Sequence, residues 1–302
     1  MDASELQPIT SWAPIVGRWT IDNGTVTYDG PEDGVRLPFG LCLSDARFSE
    51  GEVRVKVELS ADAAGRVLFG YRSQSESYWT LGLGGYDCAY VLSEFSPSIG
   101  WRPTSVLGSQ ANLAPRTYQL ETKLSGQRVY LTVDNVRVME HVLEQPVTSG
   151  QVGVFAWGER KVKFADAAIS QLPGKVFVVM QFSEPYKQLY SEVIQPVANE
   201  FGLEAYHVGE VFGPGVILND IVQGLVEAKV VIAEVTPSNQ NVFYELGYAH
   251  ALGKPTILLA ERGKQLPFDI TGYRCLFYEN TIGGKKQVED ALRKHLAFIM
   301  RE

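Results

Sequence analysis

From Glu52 to Leu59 the chain alternates charged and apolar side chains at every step. Val53, Val55, Val57 and Leu59 fall on one face, and Glu52, Arg54, Lys56 and Glu58 on the other. A period of two over eight residues predicts a half-buried antiparallel strand. Comparable runs follow at 66–71, 78–83, 117–124, 128–133, 152–157 and 161–169. Turn clusters such as Leu124-Ser125-Gly126-Gln127 and Asp134-Asn135 separate them and read as hairpin connections. No helical period of useful length precedes residue 172. Many short strands with regular turns predict an all-β sandwich over residues 1–172.

The pattern changes at Gln171-Leu172-Pro173-Gly174. Val176-Phe177-Val178-Val179-Met180 is a continuous apolar run, the mark of a strand covered on both faces. A helix with Leu189, Val193, Val197 and Phe201 at four-residue spacing follows, then a short strand at 203–207 and a helix carrying Ile217, Ile221 and Leu225. Val230-Val231-Ile232-Ala233 is a second buried strand, and a helix over 241–252 stops at Gly253 with Pro255 beyond. Strands at 256–260 and 274–278 precede a last helix with Val288, Leu292, Leu296 and Ile299. Five strands alternating with helices predict a doubly wound parallel sheet in flavodoxin-like order over residues 173–302.

Bulk properties narrow the partners. The net charge of −8 argues against a nucleic-acid polymer or an anionic membrane, both of which call for a basic surface. Cys42, Cys88 and Cys275 are scattered and unlike any metal spacing, and fit buried thiols in a reducing compartment. No apolar run approaches the roughly 20 residues needed to span a bilayer, and the first 18 residues lack a signal-peptide pattern. The expectation is a soluble, cytoplasmic protein that needs no metal or other cofactor.

In an open parallel sheet, ligands bind at the carboxyl ends of the strands where the strand order reverses. Here that crevice is expected between Gln181-Phe182-Ser183, after the first strand, and the loop from Glu234 to Gln240 after the third. Glu234 leaves an apolar strand at a place where a carboxylate is costly without partners. Asn239 or Asn241 can cap the next helix, and Glu245 follows within its first turns, on a mostly apolar face with Tyr248. Two carboxylates converging on one crevice suit glycosidic chemistry, one at the sugar carbon and the other handling a proton. The alternative is that Glu245 only reinforces the capping of its own helix. The loop at Phe212-Gly213-Pro214-Gly215 lacks the glycine spacing of a phosphate fingerprint.

The stretches KVFVVMQFSE, VVIAEVTPSNQNVFYELGYAHALGKPTILLA and LPFDITGYRCLFY resemble the nucleoside 2-deoxyribosyltransferase-like superfamily, related in fold and site to NAD-cleaving TIR domains. The resemblance implies that Glu245 is the catalytic glutamate. Glu234 stands where that family has Asp, and Gln181, Phe182, Ser183, Asn239, Asn241 and Tyr248 are implied substrate contacts. The first half is similar to concanavalin A-like, laminin-G-like sandwiches, through EVRVKVEL, GRVLFGYR, SYWTLGL, YQLETKLSGQRVYLTVDN and GQVGVFAWGERKVKFADAAIS. Such modules take glycan or protein ligands. Trp79, Tyr86, Asp87 and Trp101 are then either an aromatic sugar platform or plain core and rim residues.

Together the two resemblances imply an enzyme cleaving a nucleotide N-glycosidic bond. NAD is the expected substrate, in an oligomeric TIR-like defence effector controlled by its sandwich. The competing expectations are a nucleoside or deoxynucleotide transferase or hydrolase of salvage metabolism, and a non-catalytic nucleotide-binding sensor.

Overall fold

The computed structural model describes all residues except 1–4, 35–36, 208–216, 237, 268–269, 271 and 301–302. The loop carrying Phe212 to Gly215 therefore lies outside the described residues. The chain divides into two compact units, Met1–Leu143 with Val147–Leu172, and Pro173–Glu302 with Glu144–Pro146.

The first unit is a sandwich of two antiparallel sheets. One sheet runs in the order Val136–Val142, Arg128–Val133, Thr117–Ser125, Gly51–Leu59, Val162–Gln171, Thr25–Gly30, Arg18–Asp22, with Gln7–Pro8 paired onto Val162–Gln171. The other runs Gly100–Leu107, Tyr90–Ser96, Tyr78–Leu83, Ala64–Tyr71, Gly150–Trp157, Phe39–Phe48, Trp12–Val16. Among the described residues the only helical turn before residue 172 is the short 3-10 turn Gln110–Asn112. The Asp134-Asn135 hairpin forms as expected, both residues having positive φ (49° and 65°) and the flanking Val133 and Val136 being paired. Two positive φ angles in a two-residue loop match the right-handed twist of the strands.

The faces of these sheets differ. In the first sheet, alternation sends Val53, Val55, Val57 and Leu59 into the core together with Leu120, Leu131 and Phe164. Its outer face is polar: Arg54 pairs with Glu121 at 3.3 Å and Lys56 with Asp166 at 2.8 Å. In the second sheet both faces are apolar. Ala64–Tyr71 is buried at every residue, with Val67 and Phe69 in the sandwich core and Leu68 in a separate cluster on the opposite face. That second cluster also holds Leu41, Leu43, Tyr71, Tyr78 and Phe155.

The second unit is a five-stranded parallel sheet in the order Leu203–Tyr206, Gly174–Val179, Ala228–Glu234, Thr256–Glu261, Cys275–Tyr278. Numbered within the unit this is 2-1-3-4-5, the flavodoxin-like order. The central strands Gly174–Val179 and Ala228–Glu234 are sealed on both sides, which is why their sequences are unbroken apolar runs. One face packs Val193, Ile194, Val197, Val288, Leu292 and Leu296, and the other Leu225, Val242, Leu246 and Ala249. Asn239, not Asn241, is the N-cap of Gln240–Ala251: its side chain accepts from the Asn241 N–H at 3.0 Å. Gly253 ends that segment at φ 66°. No described helix is long and apolar enough to cross a membrane.

Candidate functional site

The outer face of the second sandwich sheet carries a cavity of about 630 Å³. Its walls come from five strands of one sheet face. Trp101 lies directly across from Phe95, Phe155 across from Arg66, and Trp157 across from Phe39. The loops add Leu37, Gly85, Tyr86 and Ile99, and the strand start adds Gly100. Cross-strand neighbours on one face stand close enough for ring contacts. Phe39 stacks on Trp157 with centroids 6.4 Å apart and on Phe155 at 6.3 Å. Trp101 packs against Phe155 at 4.9 Å and Phe95 at 5.4 Å.

Arg66 is the cation of this wall, only 2% exposed. Its Nε donates to the Gly84 carbonyl at 3.0 Å and its Nη1 to Ser93 Oγ at 2.9 Å, while Nη2 also reaches the Gly84 carbonyl. The guanidinium lies 5.1 Å from the Phe155 ring centre and 5.7 Å from that of Tyr86, within cation–π range. Burial pulls its pKa down to about 10, so it stays charged at neutral pH. Room for the arginine, backbone and head group, comes from two glycines. A side chain at Gly82, opposite Arg66, would meet its backbone, and a Cβ at Gly85 would fall 2.0 Å from Nη2.

The four aromatic and acidic residues expected in a sandwich ligand site separate by face. Trp101 and Tyr86 line the cavity, Tyr86 being 45% exposed at positive φ. Asp87 lies next to it in a smaller cavity shared with Asp62, Gln110 and Trp157. Trp79 does not belong: it packs against the sandwich core, because neighbours along a strand point to opposite faces and Tyr78 takes the cavity side. Phe39, Arg66, Phe95, Phe155 and Trp157 were not singled out by sequence. Their common signal is parity on paired strands, which needs the strand register.

In the α/β unit the structure joins some of the expected residues. Asn239 Nδ2 donates to Gln181 Oε1 at 3.4 Å, and Gln181 Nε2 donates to Ser183 Oγ at 2.9 Å, so the two crevice loops meet. Phe182 is 47% exposed and stacks on His207 with centroids 3.8 Å apart. Asn241 is exposed, and Tyr248 packs half-buried beside Val242 and Leu246.

The two glutamates differ in burial and in their partners. Glu234 is fully buried and accepts from the Thr236 N–H at 2.8 Å. Burial raises its pKa to about 7, Thr236 and Tyr278 oppose the rise, and the carboxylate that adds to it is Glu261. Glu245 is half-buried, and burial alone raises it to about 7. A cavity of about 250 Å³ in this unit opens beside Tyr186, Glu192, Glu261, Tyr278 and Lys285. Among the described residues there is no cluster of His, Cys, Asp and Glu that could hold a metal.

No family model matches the chain, and no curated protein matches it. Solved structures match its first half. One is the carbohydrate-binding module CBM66 from Bacillus subtilis, 16% identical, covering 53% of this chain and 94% of that one, TM-score 0.45. Another is a Bacillus subtilis protein of unknown function with a galectin-like fold, 13% identical, covering 55% and 94%, TM-score 0.42. A third is a β-glucanase from Bacillus licheniformis, 10% identical, covering 56% and 97%, TM-score 0.40. These names speak of carbohydrate binding and glucan hydrolysis, not of NAD or nucleosides. The expected cleavage of a nucleotide N-glycosidic bond, in its NAD-directed and salvage forms alike, is corrected accordingly.

Proposed function

We propose that the sandwich unit is a carbohydrate-recognition module whose ligand occupies the aromatic cavity. The observation that carries this reading is the set Phe39, Trp101 and Trp157, with Tyr86 at the rim, gathered around one cavity on the outer face of the sheet. A sugar ring presents C–H faces and a girdle of hydroxyls. Indole and phenyl rings cover the former while a few fixed polar groups meet the latter. The cavity volume lies in the range that holds a small ligand of one to three rings.

Recognition is favoured over hydrolysis by the composition of the walls. Glycosidic cleavage ordinarily needs two carboxyl groups flanking the bond, about 5–10 Å apart. The described residues lining the cavity include neither Asp nor Glu.

The test is titration of the full chain with a panel of neutral and acidic oligosaccharides, read by calorimetry and tryptophan fluorescence. Saturable binding is expected for at least one member. It should be lost in Trp101→Ala and Trp157→Ala proteins that keep their circular dichroism. If no saccharide binds, the reading fails.

A further inference from the structure

The charge balance of the cavity constrains its ligand further. Arg66 is buried and cationic, yet no ion pair among the described residues includes it, and it donates to a backbone carbonyl and two hydroxyls. A buried cation ordinarily has an anion to offset the lost hydration. A second polar group of the wall is of the same kind. Trp101 Nε1–H is sealed from solvent and finds no acceptor among the described residues. Among the described residues the walls thus hold donors and a positive charge and no carboxylate.

The loop geometry preserves this arrangement. Gly84 supplies the carbonyl that fixes the guanidinium fork, and Gly85 leaves the space that Nη2 fills. Gly85 is itself held by its N–H to Gln110 Oε1 at 2.7 Å, and Gln110 is anchored to the Ala63 carbonyl at 3.2 Å. With Nε and one edge of the fork committed to Gly84, N–H capacity remains on the terminal nitrogens. A guanidinium so fixed pays little further entropy to grip an oxyanion, and arginine is suited to carboxylate and sulfate recognition.

We infer that the cavity selects an acidic saccharide, whose anionic group is held by Arg66 while its ring packs on the aromatic walls. The inference rests on reading the cavity as a saccharide site.

The experiment uses the full chain and matched ligand pairs that differ only in charge. Oligogalacturonate is compared with its methyl ester, and a sulfated galacto-oligosaccharide with its unsulfated parent. The acidic member of at least one pair should bind about tenfold to hundredfold more tightly, the range for a hydrogen bond to a charged group. Which pair shows the gap separates carboxylate from sulfate. In Arg66→Met the gap should close through loss of the acidic member's advantage. If that variant fails to fold, the wild-type pairs decide alone. Equal affinity within both pairs overturns the inference and leaves carbohydrate recognition standing, as does a gap that survives in folded Arg66→Met. Failure of every saccharide, acidic or neutral, overturns the reading beneath it as well.

Discussion

Arg66 and Phe155 are direct partners across the ladder joining Ala64–Tyr71 to Gly150–Trp157, and the guanidinium lies 5.1 Å from the phenyl centre. The pairing explains how a cation is accommodated on an apolar sheet face. The ring's electron-rich face meets the charge on one side while Gly84 and Ser93 take its N–H groups on the other. What the arrangement lacks is an anion, and the cavity is where one can enter.

Gly85→Ala should disturb this cation more than an ordinary glycine replacement does. The new Cβ would stand 2.0 Å from Arg66 Nη2, and φ at Gly85 is 104°. Gly100, on the same cavity wall, has φ 84° and nothing within 4 Å of a built Cβ, so it serves as the control. Both variants bear the backbone penalty of about 1–3 kcal/mol. Only Gly85→Ala should also displace the guanidinium and lose ligand preference. Denaturant unfolding of the two proteins measures the difference, and equal losses would place Arg66 free of the loop.

Trp79 and Trp101 should separate stability from binding. Trp79 packs against the sandwich core, so Trp79→Ala should cost about 2–4 kcal/mol, somewhat less than loss of a fully buried Trp, with saccharide affinity intact below the unfolding transition. Trp101→Ala should cost less and abolish affinity. The check is a melting curve and a titration on each protein. Loss of affinity in folded Trp79→Ala would contradict the assignment of faces.

The readability of these features from sequence followed the polarity of each face. Gly51–Leu59 was legible because its outer face carries Arg54, Lys56 and Glu58 in water, so the period of two survives in the letters. Ala64–Tyr71 is buried on both faces, and nothing in its letters marks Arg66 as a cavity residue. Trp12–Val16 and Gly100–Leu107 contain Pro14 and Pro103 and read poorly as strands; they are the two edges of their sheet, where proline is tolerated. Trp79 and Trp101 look alike as letters, and only register tells which is core. In the α/β unit the apolar runs announced the parallel sheet. The direction of Glu234 toward Tyr278 depends on the fifth strand, about 40 residues on, which local pattern does not reach.

Lys254 is a buried structural cation. Its Nζ donates to the carbonyls of Val226 at 2.7 Å and Ala228 at 2.8 Å, where the helix Ile217–Glu227 gives way to the strand Ala228–Glu234. Lysine near a helix C-terminus satisfies carbonyls that the helix leaves open. Lys254→Met keeps most of the stem but orphans both acceptors, and should cost about 2–4 kcal/mol. An unchanged urea midpoint would show that water replaces the ammonium.

The acid sensitivity of the α/β unit should run opposite to that of a salt-bridged protein. Glu234 is fully buried, and its carboxyl is raised from 4.5 to about 7, chiefly by burial. Between those values the folded chain keeps the proton and the unfolded chain has lost it. The folded state then binds more protons, so stability falls as pH rises from about 4.5 to about 7 and levels off above. At about 1.36 kcal/mol per pH unit the displacement amounts to on the order of 3 kcal/mol. Glu245 adds a smaller fall of the same sign, since it is only half-buried. Glu234→Gln stays neutral throughout and can still accept from the Thr236 N–H. The variant should therefore be more stable than the wild type at pH 8, and the two should converge toward pH 5. Melting temperatures at half-unit steps from pH 4.5 to 8 read the slope directly. A wild type whose stability is flat or rising over that interval, or a variant with an unchanged slope, would mean that Glu234 is ionised in the folded protein and has an unseen positive partner.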